Sequence, residues 1–83
     1  PHIGASSVHL SFSSPSRKDV TEAIQSIRKD VAEIVSYEIK NKHTTNGEFY
    51  DVKLDVRLSP MQHNDNLLDI LKDFDDVTIL DEE

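Results

Sequence analysis

From Tyr50 to Leu58 the chain alternates apolar and charged side chains without a break. Tyr50, Val52, Leu54, Val56 and Leu58 are separated by Asp51, Lys53, Asp55 and Arg57. Successive side chains of a strand point to opposite faces, so this run predicts a half-buried strand with one apolar face and one wet face. On that register Leu54 is expected at the centre of the core and Lys53 in water. A shorter alternation, Val8, Leu10 and Phe12 against His9, Ser11 and Ser13, predicts a first strand of the same kind. Pro15 follows it, and Ser16 with Asp19 three residues on has the form of a helix start: a capping hydroxyl, then an acid at the positive end of the dipole. Val20, Ala23, Ile24, Ile27 and Val31 then recur at helical spacing and form one apolar stripe.

A second strand is expected from about residue 33 to 40, where Val35, Tyr37 and Ile39 alternate with Ser36, Glu38 and Lys40, and Ile34 breaks the pattern. The polar stretch 41–48 contains Asn46-Gly47, a dipeptide suited to hairpin turns, so strands two and three are expected to form a hairpin with a long loop. After Ser59-Pro60, Asn64 or Asp65 can cap a second helix whose stripe is Leu67, Ile70, Leu71 and Phe74, flanked by Leu68. Val77 to Leu80 reads as a short last strand. The order strand-helix-strand-strand-helix-strand predicts an α+β, ferredoxin-like fold. Two right-handed crossovers sharing a hairpin place both helices on one face of a four-stranded antiparallel sheet.

Length and composition fit that reading: 83 residues, 36% of them hydrophobic, allow one core and one domain. Residues 1–7 are expected to be a loose leader and 8–83 the domain. The chain has no cysteine, so packing alone must hold it. It begins at Pro1 with no signal-peptide pattern, which suggests a piece of a longer or processed protein. No apolar stretch approaches the roughly 20 residues of a membrane span.

The net charge is −7, from sixteen acidic and nine basic residues, and this average field repels polyanions. Nucleic acid is not an expected partner. From Asp65 onward Asp69, Asp73, Asp75, Asp76, Asp81, Glu82 and Glu83 add to the acidic excess. A dedicated divalent-cation site needs several carboxylates converging on one point, and the spacing indicates a solvated face and a charged tail instead.

Candidate chemistry is sparse. His2, His9, His43 and His63 lack the spacing of a zinc site. Ser6, Ser7, Ser11, Ser13 and Ser14 lack the glycine context of a nucleophile elbow. Gly4 and Gly47 are too few for a phosphate-cradling loop. The pairs Asp51/Asp55 and Asp75/Asp76 exist, but carboxylates on an uncovered sheet gain little of the burial that tunes catalytic groups. No catalytic residue, metal ligand or cofactor is assigned, and the chain is not expected to be an enzyme. RNA-binding modules of this fold stack bases on aromatics of the central strands. Those positions hold His9, Ser11, Asp51, Lys53, Asp55 and Arg57, with Phe49 only at the edge.

The strand EFYDVKLDVRL (48–58) feeding a helix, and the ending LLDILKDFDDVTILDEE (67–83), resemble an ACT-type regulatory domain. More narrowly, the chain from Val8 to Glu83 resembles the C-terminal domain of the MgtC/SapB family, membrane proteins linked to magnesium homeostasis. The resemblance implies a non-catalytic regulatory or interaction module. It would be the cytoplasmic tail of a parent in the cell membrane, with contact to that parent's membrane domain. A small-molecule sensing ACT domain of a metabolic enzyme is the alternative, with an amino acid bound near the start of helix one. Such domains carry a glycine between strand one and helix one, which residues 13–19 lack, so no ligand-binding residue is carried over.

Strands two and four are the expected edges of the sheet, open to pairing with a like edge. Strand four runs into Asp81-Glu82-Glu83, where two copies would set like charges together. A weak homodimer is therefore expected through strand two, along Ile34, Ser36, Glu38 and Lys40, aided by the outer flank of helix one.

Overall fold

The alternation seen in the sequence becomes β3 (Gly47–Leu58), a central strand of the four-stranded sheet in the computed structural model. The structure describes residues 7–82, the side chains of Asp81 and Glu82 excepted, so the expected leader (apart from Ser7), His2, Gly4, Ser6 and the charges of the tail lie outside the described residues. The other elements are β1 (Ser7–Ser14), α1 (Arg17–Asp30), β2 (Ala32–Thr44), α2 (Asn64–Lys72) and β4 (Thr78–Glu82). Ser7, expected in the leader, is the first residue of β1 and pairs with Arg57. The sheet order is β2-β3-β1-β4 with every pair antiparallel, which is the ferredoxin-like arrangement.

Val8, Leu10 and Phe12 of β1 stand beside Val56, Leu54 and Val52 of β3, and all six are buried. Val20, Ala23 and Ile27 of α1 and Leu67 and Leu71 of α2 close over them. Burying each large aliphatic side chain contributes roughly 1.5 to 3 kcal/mol before chain entropy is set against it. Lys53 and Arg57 are exposed on the opposite face, as the alternation requires.

The helix starts differ in how they are made. Ser16 caps α1, its Oγ accepting the Asp19 amide at 3.1 Å. Ser14, buried at the end of β1, accepts the Ser16 amide on its own Oγ at 3.0 Å and fixes the corner. Neither Asn64 nor Asp65 caps α2. His63 is the N-cap, and Asn66 reaches back so that its Oδ1 accepts the His63 amide at 2.8 Å. Asn66 at the third helical position takes the part that Glu or Gln plays in a capping box.

Both edge strands are bulged, and this changes the reading of β2. Ile34 pairs with Val56 and Ser36 with Asp55, which leaves Val35 as an extra residue. A bulge of one residue shifts the phase of everything after it. Val35 is therefore the residue out of step, not Ile34. Ile34, Tyr37 and Ile39 share the helix side of the sheet with Val56, Leu54 and Val52, while Ser36, Glu38 and Lys40 lie on the open face. In β4 the pairing passes from Phe12–Ile79 to Ser11–Asp81 and leaves Leu80 as the extra residue.

The hairpin is longer and its loop shorter than the sequence suggests. β2 and β3 pair as far as Thr44–Gly47, so the loop is Thr45-Asn46 instead of the whole stretch 41–48. Gly47 takes a positive φ of 124°, whereas Thr45 and Asn46 do not take positive φ, so the mirror-image turn that Asn-Gly favours is not formed. Thr44 Oγ1 closes the turn, donating to the Gly47 carbonyl at 3.1 Å and accepting the Asn46 amide at 3.2 Å. β1 pairs with β3 only from Tyr50 to Arg57, so the hairpin tip pairs with no third strand. It extends a molecule whose longest dimension is 48 Å.

Candidate functional site

Two surfaces bring together the side chains singled out from the sequence. The first is the open face of the sheet, where antiparallel pairing sets residues of β1, β3 and β2 in rows. In one row His9 Nδ1 hydrogen-bonds Asp55 Oδ1, and Ser36 Oγ donates to Asp55 Oδ2 at 2.8 Å. The bond with His9, then that from Ser36, holds the Asp55 carboxyl below its ordinary value of 3.8. A serine, an aspartate and a histidine thus meet, but the carboxylate is in the middle. In a nucleophilic triad the imidazole must lie between hydroxyl and carboxylate to take the hydroxyl proton. Here the Ser36 proton is directed at Asp55, and His9 binds the other carboxylate oxygen. The geometry orders three strands and supplies no proton relay to Ser36.

The neighbouring rows are ionic. Arg57 reaches Glu33 at 3.2 Å and Lys42 reaches Asp51 at 3.1 Å, while Lys53 stands opposite Glu38. Four acidic side chains on this face, Glu33, Glu38, Asp51 and Asp55, are matched by Lys40, Lys42, Lys53 and Arg57. Among the described side chains of β1, β2 and β3, the open face is charge-balanced in a strongly acidic chain. Phe49, half-buried at the margin, is the aromatic residue with that facing among the described residues, so the face does not form a base-stacking platform.

The second surface is the helix-side flank of β2. Edge position and the bulge leave Tyr37 63% and Ile39 42% exposed on the side where the core lies, with Val35 58% exposed at the bulge. Beside them is a hollow of about 370 Å³ lined by Arg17, Val20, Thr21, Ile39, Asn41 and Tyr50. It opens where α1 begins, since the strand end at Ser14 pairs with Tyr50 just before the helix starts. Tyr50 is oriented by its hydroxyl, which donates to Glu48 at 3.2 Å. The hollow offers a guanidinium, a hydroxyl and an amide around an aliphatic floor.

Of the four residues expected to form a pairing edge, Ile34 is half-buried against the core, and Ser36, Glu38 and Lys40 are exposed on the open face. Tyr37 and Ile39, which the sequence reading placed in step with Val35, are the residues that give this edge its apolar flank. The signal for it was present in the spacing of Ile34 and Tyr37, which no unbroken strand places on one face.

At the start of α1 the carboxyl groups of Asp19 and Asp76 meet. Asp19 is held above 3.8, first by the hydrogen bond it shares with Asp76. Asp76 Oδ1 is enclosed without a hydrogen-bond partner. The described residues contain no group of three or more His, Asp or Glu side chains arranged to hold a metal ion. No helix among them is long and apolar enough to cross a membrane.

The chain matches no family model, no curated protein and no solved structure.

Proposed function

We propose that this chain is a non-catalytic interaction domain, regulatory in role, which engages its partner through the helix-side flank of β2. The observation that carries this reading is the exposure of Tyr37 and Ile39 on an edge strand. An aromatic and a branched aliphatic side chain are held bare beside unpaired backbone groups. Tyrosine anchors seated in hollows dominate many protein interfaces, and an open strand edge adds main-chain hydrogen bonds to whatever docks there. The chemistry of the open face agrees with this: its polar groups are spent on one another in rows. The resemblance to the MgtC/SapB tail supports placing the domain beneath a membrane-embedded parent, with a role linked to magnesium homeostasis.

The test is a photo-crosslinking amino acid placed at position 37 or, as control, at position 53 of the protein in its parent cell. Capture from position 37 and not from 53 is expected. Capture from neither, or equally from both, overturns the reading.

One observation favours a second reading, small-molecule sensing: the hollow at Arg17, Thr21 and Asn41 has the volume of a small-ligand pocket. Saturable amide shifts at those three residues on titration with the common amino acids would select it.

A further inference from the structure

We infer that the partner on the β2 edge is a second copy of this chain, in one register, with a two-fold axis at Ile39 and Tyr37 of each copy seated in the other's hollow. This rests on the interaction reading above and specifies its partner.

Two antiparallel edges related by an axis perpendicular to the sheet pair residues of the same face, so each register is defined by the residue on the axis. Few registers are open to β2. The bulge at Val35 interrupts regular pairing, and the turn begins after Thr44, so only residues 36–44 offer a straight edge. An axis at Glu38 sets Glu38 against its own copy. An axis at Lys40 does the same with lysine, and an axis at Asn41 places Lys40 against Lys42 twice. An axis at Tyr37 draws the bulged residue Val35 into the ladder opposite Ile39. With the axis at Ile39, Glu38 of each copy faces Lys40 of the other on the open face, so two opposite-charge pairs form and no like pair does. Glu38 and Lys40 already approach each other within one strand at 3.5 Å, so the dimer exchanges two internal pairs, one in each copy, for two crossed ones.

The same register places the apolar flank. Ile39 meets Ile39 on the axis, and Tyr37 of each copy falls opposite Asn41 of the other, on the helix side of the sheet. Asn41 lines the hollow together with Arg17, Val20, Thr21, Ile39 and Tyr50. Side chains directly opposite on antiparallel strands are neighbours, their Cβ atoms about 5 Å apart. The phenol ring of Tyr37 therefore enters the hollow of the second copy, where Arg17 can lie against its face and the aliphatic floor receives its edge. The exposed Tyr37 and the hollow beside Asn41 are two halves of one contact. β4, the other edge, has five residues with Leu80 bulged among them, and it offers no comparable straight segment.

The experiment is sedimentation velocity on the 83-residue chain at submillimolar concentration, comparing the wild type with E38K, K40E, the double reversal E38K/K40E, an equimolar mixture of the two single variants, and Y37S. A concentration-dependent dimer is expected for the wild type. Each single reversal should weaken it about tenfold, because two attractive pairs become repulsive. The double reversal and the mixture should restore it, since both recreate opposite charges across the joint. Y37S should abolish it while leaving the melting temperature nearly unchanged. Failure of the wild type to dimerise, or failure of the mixture to restore what the single variants lose, overturns the inference. A dimer indifferent to the charge variants but lost in Y37S overturns this register and keeps the interaction surface. A photo-crosslink from position 37 that captures only another protein overturns self-pairing alone, whereas no capture at all removes the interaction reading with it.

Discussion

The two edges of the sheet share a device and differ in its use. Each carries a bulge that turns out one aliphatic residue, Val35 in β2 and Leu80 in β4. β4 is five residues long, and its Ile79 packs against the core. β2 is thirteen residues long with its bulge near the start, so most of its length lies beyond the interruption. Its Ile39 and Tyr37 are left bare on the side where burial would have stabilised the fold. A bulge within a short edge blunts that edge against association, whereas one at the root of a long edge leaves a straight template beyond it. Folding draws on Ile79 of β4 and on Ala32 and Ile34 at the root of β2, while Tyr37 and Ile39 remain for another surface.

The strand between the edges sets the scale. Leu54→Ala should cost about 2 to 5 kcal/mol, and Lys53→Ala well under 1, measured from urea midpoints at constant slope. Equal effects would remove the register on which both edges are defined. Ile79→Ala in β4 should cost roughly 1 to 2 kcal/mol as a partly buried side chain, and Ile39→Ala in β2 about half a kcal/mol or less. A larger loss at Ile39 than at Ile79 would break the comparison.

Gly47→Ala tests the hairpin that extends β2. No atom lies within 4 Å of where its Cβ would be, so the expected loss of about 1 kcal/mol comes from the positive φ alone. Amide exchange should quicken first at residues 41–49, where the two strands have only each other.

The smallest expected effect is that of pH at Asp55. Its folded value lies below its ordinary one, so its stabilising contribution is fully present above the unfolded value and is lost as pH falls through the folded value. Melting temperature followed downward from pH 5 should decline less in Asp55→Asn than in wild type, and an unchanged acid limb would show that the row from His9 to Ser36 adds nothing. Asp19 has the opposite sign. Its raised value favours the protonated form in the folded state, a contribution present below the unfolded value and lost as pH rises through the folded one. Asp76→Ala should reduce that loss.

The parts of this molecule legible in the sequence are those whose burial repeats with the period of the backbone. β1, β3 and the stripe Val20, Ala23, Ile27 could be read because each presents a covered face along its length. β2 could be read only in part. Its phase depends on Val35 being extruded opposite Asp55, which the spacing of Ile34 and Tyr37 signals only once a bulge is allowed in the strand. The hairpin tip escaped the pattern because Asn41, Lys42, His43 and Thr44 pair as strand without covering anything. The α2 cap was missed because Asn66 acts from inside the helix, where asparagine is disfavoured unless its amide has such a use. Ser36, Asp55 and His9 are far apart in the chain and meet only through two registers.

The balanced rows of the open face have an electrical consequence. Since Glu33, Glu38, Asp51 and Asp55 are offset there by Lys40, Lys42, Lys53 and Arg57, and the acids and bases of α1 and α2 also cancel, the formal excess of −7 falls to Glu48, Asp73, Asp75, Asp76, Asp81, Glu82 and Glu83. The charge is lopsided along the chain, since six of these seven acids follow α2. Beside an anionic surface the stretch that follows α2 is repelled most and is turned outward, an orientation that weakens as salt shortens the Debye length.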